Sequence, residues 1–176
     1  MRVEGETVPR AERERRYIAE YMAQTYPRGN YQLNVPLGPI PQELVQQLGA
    51  TQAAQVFYPT RPRIDAVAWL PGAYILVEAK IREPKHAIGD LLVYRSLIPS
   101  TRDLPSYDGQ AIVSRLVVPE ILEWIRVSAE EHRLEVATYH PAWIADYWRS
   151  RQEYFTQSYR LARDSKQAMR KILGLE

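Results

Sequence analysis

Between residues 63 and 81 the chain reads RIDAVAWLPGAYILVEAKI, an apolar stretch interrupted by Pro71-Gly72. Two runs of strand length around a turn dipeptide predict a hairpin, with strands over Ile64–Leu70 and Ala73–Lys80. Upstream, Ala11, Ile18, Tyr21 and Thr25 recur on one helical stripe and predict a first helix from about Pro9 to Tyr26. Pro9 suits its start, where a missing N–H costs nothing. The segment YQLNV predicts a short strand over residues 31–35. PLGPIP then places three prolines and a glycine within six residues, an irregular excursion and not a second domain. A short helical piece, QELVQQLG, and a loop through YPTRPR complete the excursion.

After the hairpin, REPK leads into a helix from about His86 to Ile98. STRDLPSYDG is a loop, and QAIVSRLVV predicts a strand over residues 110–118. Pro119 opens the helix EILEWIRVSAEEH, RLEVATYH is a further strand, and a helix-compatible segment runs from Pro141 to about Leu173. Strands alternating with helices predict an α/β fold, a mixed sheet covered on both faces with an antiparallel hairpin early in the chain. The core is expected over residues 1–140, with residues 141–176 as a helical extension.

A length of 176 residues suits one domain, and a hydrophobic content of 45% is enough for a core. No apolar run approaches the ~20 residues of a membrane span, so no membrane association is expected. MRVEGETVPRAERERR lacks an apolar segment and so a secretory signal. There are no cysteines, which excludes disulfides and thiolate metal sites and suits a cytoplasmic, intracellular or virion-associated protein. A net charge of +2 does not by itself announce a nucleic-acid binder. Arginine supplies 19 of the 23 basic residues, with lysine only at 80, 85, 166 and 171. A chain that avoids lysine thus keeps one at the end of an apolar strand.

The hairpin carries Asp65, Glu78 and Lys80. Residues two apart in a strand share a face, so Glu78 and Lys80 point the same way, with Ala79 turned aside. Asp65 lies on the preceding strand, and antiparallel pairing gathers all three. Buried charges are costly and should be paired or hold a metal. The plainer reading is a Glu–Lys or Asp–Lys salt bridge at the sheet end.

An acid in one strand, E-x-K ending the next and a helix at once afterwards resembles the PD-(D/E)xK nuclease superfamily, with its restriction-endonuclease-like αβββαβ core. The resemblance covers about residues 9–140 and puts Asp65, Glu78 and Lys80 in the motif positions. Ile64 stands where the motif name has proline. It implies a Mg²⁺-dependent nuclease, with Mn²⁺ able to substitute, that hydrolyses DNA phosphodiester bonds as an exo- or endonuclease. Asp65, Glu78 and the Ala79 carbonyl would hold the metal, and Lys80 would orient or help deprotonate the attacking water. A lysine suits that task where arginine does not, because arginine stays protonated.

Many members of the superfamily add a glutamate from the first helix. Glu14 lies on the stripe of Ile18 and Tyr21, whereas Glu20 points away, so Glu14 is the inward candidate as catalytic residue and metal ligand; the alternative is a helix-end glutamate paired with an arginine. His86, Asp90 and Tyr94 are four apart on the helix after Lys80. The G-D-L-L-x-Y setting resembles the Gln-x-x-x-Tyr helix of RecB-like branches, with Asp90 in place of glutamine and Tyr94 matching. Asp90 is then a partner behind Lys80 or a solvated acid. Arg61, Arg63, Arg82 and Arg95 flank the region as candidate phosphate contacts. His86, His132 and His140 read as surface and element-end residues.

Residues 141–176 carry seven basic and four acidic side chains among many aromatics. Trp143, Ile144, Tyr147 and Trp148 read as core, and the stripe Phe155, Ala162, Met169 and Leu173 as a packing or oligomer surface in preference to a DNA contact. The expectation is a DNA nuclease of phage, mobile-element or repair origin. Its alternative is a catalytically silent nuclease-fold protein serving assembly of a nucleoprotein or virus particle.

Overall fold

In a computed structural model the described residues are 10–105, 107–149, 165 and 169. Five strands form one sheet in the order β1 (Tyr31–Pro36), β2 (Arg63–Leu70), β3 (Ala73–Ala79), β4 (Ala111–Val118) and β5 (Glu135–Thr138). β1–β2 and β2–β3 are antiparallel, whereas β3–β4 and β4–β5 are parallel. The sheet is therefore mixed, and the helices between its parallel strands cover it as crossover geometry requires. Helices α1 (Arg10–Thr25), α2 (Gln42–Leu48), α3 (Ala50–Phe57), α4 (Ala87–Leu97) and α5 (Glu123–Glu131) complete the order. The chain divides into two compact units, Met1–Tyr139 and His140–Glu176.

Side-chain alternation sets the layers. Val67, Tyr74, Leu76, Leu116 and Val118 point to one face and cluster with Ala87, Ile88 and Leu91 of α4 and Ile125 and Ala129 of α5. Ala66, Ala68, Ile75, Val77 and Val117 are buried on the other face, where α1 packs on β2 and β3. The small alanines of β2 leave room for Tyr17, Ile18, Tyr21 and Met22 of α1, all buried. Tyr17 donates its hydroxyl to the Tyr139 carbonyl at 2.6 Å. Each large side chain so buried contributes roughly 1.5–3 kcal/mol.

The hairpin turn is where the dipeptide placed it. Leu70 pairs with Ala73, and Gly72 takes the positive φ of 83° that the turn demands. β3 lies between β2 and β4, so Tyr74 through Ala79 are all buried. Pro36 closes β1, an edge strand, where its missing donor is tolerated.

Two expectations change. Residues 50–57 form α3 and not a loop: Gly49, at φ 78°, ends α2 and precedes α3, and the Ala/Gln-rich ATQAAQVF has high helix propensity. α5 begins at Glu123, not at Pro119, because Leu122 is extended at ψ 145°. In the second unit residues 142–149 are helical, Ile144 is buried, and His140 meets Trp148 edge-on. Met169 is helical and exposed, while Phe155, Ala162 and Leu173 lie outside the described residues.

Arg61 is not a phosphate contact. It is buried, donating to the carbonyls of Pro36, Leu37 and Gly38 at 2.9–3.2 Å and pairing with Asp103 at 2.6 Å. The proline-broken excursion lacks ladder partners for those carbonyls, and a buried polar group must find one. Arg61→Ala should cost about 2 kcal/mol, read as a lower urea midpoint at unchanged slope.

Candidate active site

The three charged groups of the hairpin meet at one end of the sheet. Strand parity puts Asp65, Glu78 and Lys80 on the face covered by α4, and Asp65 and Glu78 fall one position beyond the Ala66–Val77 pair. The backbone holds each acid. Asp65 Oδ2 accepts from the Ala79 N–H at 2.9 Å, and Glu78 Oε2 accepts a longer bond from the Asp65 N–H at 3.4 Å. Lys80 Nζ donates to Glu78 Oε1 at 2.6 Å, and the Lys80 N–H is fixed to the Val117 carbonyl of β4 at 2.9 Å. Among the described residues no partner reaches Asp65 Oδ1.

Burial dominates the electrostatics. Glu78 is 4% exposed, and its carboxyl is pushed up to about 7, first by desolvation and then by the Asp65 charge, with Lys80 opposing both. Asp65 is also raised, by desolvation and by Glu14, against the Ala79 N–H and Lys80. Burial pulls the Lys80 ammonium down, but Glu78, Asp65 and Glu14 outweigh it and hold it above its ordinary value. Lys80 is thus a charged donor here. With both acids ionised, two negative charges would face one cation, and the raised Asp65 and Glu78 show that the site holds a proton against that imbalance.

Glu14 lines a cleft of about 560 Å³ at this end of the sheet, with Arg15, Ile18 and Ala19 of α1, Leu33 and Asn34 of β1, and Asp65 of β2. Its charge reaches Asp65 and Lys80. Yet among the described residues no three carboxylate or imidazole groups stand at metal-binding spacing. The structure brings Asp65 and Glu78 together as a donor pair and leaves Glu14 on the cleft wall. From α4, Tyr94 feels Glu78, Asp90 and Asp65, and its hydroxyl is pushed up to about 12, chiefly by burial. Tyr94 is thus near both carboxylates, with Asp90 near it on the same helix. His86 is exposed at the start of α4, and His132 follows the end of α5.

Of the arginines, Arg95 is exposed on α4 and Arg82 half-buried just beyond Lys80. Arg63 is turned to a neighbour. Its Nε donates to Asn34 Oδ1 at 2.8 Å, its Nη2 to the Asn34 carbonyl at 2.7 Å, and it stacks on the Tyr58 ring at 4.2 Å. Asn34 has φ 55°, in the left-handed region inside a strand. That conformation costs roughly 1 kcal/mol for a residue with a side chain, least for asparagine. The sequence carried a signal: asparagine is depleted in strands and tolerates positive φ.

A hard divalent cation fits this donor set. Asp65 and Glu78 offer carboxylate oxygens at one point, one of them unengaged, with the excess negative charge that a cation would offset.

No protein-family model matches the chain, and no curated protein sequence matches it. The chain is similar to the crystal structure of a repair endonuclease from Pyrococcus abyssi, with a TM-score of 0.44 and 18% identity over 78% of this chain and 50% of that one. It is also similar to an EndoMS–dsDNA2 complex, with a TM-score of 0.43 and 16% identity over 80% of this chain and 49% of that one. The chain spans about half the length of each.

Proposed function

We propose that the chain is a metal-dependent nuclease of the PD-(D/E)xK type that hydrolyses DNA phosphodiester bonds. The observation that carries the reading is the pairing of half-buried Asp65 with buried Glu78, with Lys80 beside them at the end of β3. A plain salt bridge accounts for Glu78 and Lys80 but not for Asp65: a second, half-buried acid beside the first, raised by desolvation, with one oxygen that no described residue engages. Structural ion pairs do not need that third group.

In this reading Asp65 and Glu78, with the Ala79 carbonyl, would hold Mg²⁺ or Mn²⁺. Such an ion would lower the pKa of a bound water and offset negative charge on the phosphate. Lys80, charged and fixed at both its backbone N–H and its ammonium, orients the attacking water and stabilises charge developing at phosphorus. Tyr94 and Asp90 support the carboxylates from α4. The open cleft beside Asp65 gives the phosphodiester its approach.

The test is incubation of circular single-stranded, supercoiled and linear DNA with the protein, with Mg²⁺, with Mn²⁺ and with EDTA. Cutting of at least one form, absent in EDTA and in Lys80→Ala, is the expected result. Cut circles identify an endonuclease; degradation of linear DNA alone identifies an exonuclease. Folded protein that cuts no form and binds neither ion overturns the reading in favour of an assembly module.

A further inference from the structure

Asn34 stands directly across from Asp65. The β1–β2 register pairs Leu33 with Ala66 and Val35 with Ile64, and Asn34 and Asp65 occupy the position between. Its left-handed backbone departs from the strand around it, and Arg63 clamps it twice, through the side-chain oxygen and the carbonyl. Arginine only donates, so the amide oxygen faces Arg63 and the Nδ2 donor faces away. Among the described residues nothing accepts from that donor. Asn34 lines the cleft together with Asp65 and Glu14. A cleft walled by two carboxylates thus contains one neutral donor, held in place by a strained backbone and a stacked cation.

We infer that Asn34 is a substrate-contacting residue whose amide N–H donates to a non-bridging oxygen of the phosphodiester at Asp65. Arg63 is its positioning residue: it sets which way the amide faces and holds the left-handed turn, while Tyr58 supports its guanidinium from below. This revises the direct phosphate role expected of Arg63, since two of its nitrogens are engaged by Asn34. It rests on the nuclease reading above. The physical reason is that a preorganised donor aimed at an oxygen gaining charge lowers the barrier more than it strengthens ground-state binding.

The test compares single-turnover cleavage at saturating Mn²⁺ for wild type, Asn34→Gly, Asn34→Asp, Arg63→Ala and the double variant Asn34→Gly/Arg63→Ala. Glycine accepts the positive φ, so Asn34→Gly should unfold no earlier than wild type. Asn34→Asp keeps the acceptor for Arg63 and removes the donor. Both should cut about 100-fold more slowly, with KM for DNA and the Mn²⁺ binding isotherm nearly unchanged in Asn34→Gly. Arg63→Ala should lose a similar factor, and the double variant no more than Asn34→Gly alone, because residues acting through one contact are not additive. Asn34→Gly cutting at the wild-type rate overturns the inference and leaves the nuclease reading standing. Additive losses in the double variant overturn the positioning role, because Arg63 would then touch DNA itself. A wild type that cuts no DNA overturns both.

Discussion

Glu78→Gln should abolish DNA cleavage, by about a thousand-fold or more, while making the metal-free protein harder to unfold. Few substitutions move the two properties in opposite directions, and the site's energetics say why this one does. Glu78 is buried beside a second carboxylate, so its charge works against folding unless something offsets it. Glutamine has the same shape and carries no charge; its single oxygen can keep the 2.6 Å bond from the Lys80 ammonium and gives up the longer one from the Asp65 N–H. The gain should be on the order of 1 kcal/mol at pH 8, lessened by the lost Asp65 N–H bond and by Lys80 facing a neutral oxygen in place of a charged one. Catalysis needs what stability does not, since a neutral amide is a poor ligand for a hard cation. Lys80→Ala should be equally silent in cutting, because it removes the charge that faces the phosphate. It should also leave Asp65 and Glu78 without their cation, and so destabilise. Single-turnover cleavage and thermal unfolding without metal check both variants. A Glu78→Gln protein that unfolds several degrees earlier and still cuts would show the Glu78–Lys80 pair to be a structural salt bridge.

How much of this follows from sequence depends on the range of the interaction involved. The hairpin strands, the turn at Pro71-Gly72 and the helix after Lys80 are local features, and they stand within a residue or so of where periodicity places them. Glu14 is an intermediate case. Its helical stripe does turn it to the cleft that Asp65 lines, but a stripe specifies a face and not a distance, and Glu14 does not join the two carboxylates at ligand spacing. Arg61 and Arg63 look alike in TRPR, yet one is buried against the carbonyls of residues 36–38 and the other stacks on Tyr58 and clamps Asn34. Nothing local separates them, because the hydrogen-bond partners that distinguish them, the carbonyls of residues 36–38 for Arg61 and Asn34 for Arg63, lie more than 20 residues away in the chain. α3 was hidden for another reason: Gly49 reads as the end of a helix, and it is also the hinge to the next one.

The same buried carboxylates predict how stability should respond to pH and metal. Glu78 is raised from 4.5 to about 7, and Asp65 is raised as well. Between those values the folded protein keeps a proton that the unfolded chain has released, so stability falls as pH rises. Its stabilising share is complete below pH 4.5 and lost as pH passes through 7. Glu78 alone accounts for about 3 kcal/mol of this change, or roughly 5–10 °C in unfolding temperature. Lys80 does not contribute across this window: its raised value keeps it charged in both states until well above it. A divalent cation reverses the trend. It binds the deprotonated carboxylates, so protons compete with it, and its stabilisation grows as pH rises. Metal-free protein should therefore unfold earlier at pH 8 than at pH 5, and Mn²⁺ should raise the midpoint far more at pH 8. Glu78→Gln should flatten the metal-free slope and remove most of the Mn²⁺ response, which separates this site from every other group titrating in the same range. Calorimetry from pH 5 to 8, with and without Mn²⁺, reads all four curves. A metal-free midpoint that rises through this range, or an Mn²⁺ shift that is the same at both ends, would mean that Asp65 and Glu78 neither share a costly charge nor bind the ion.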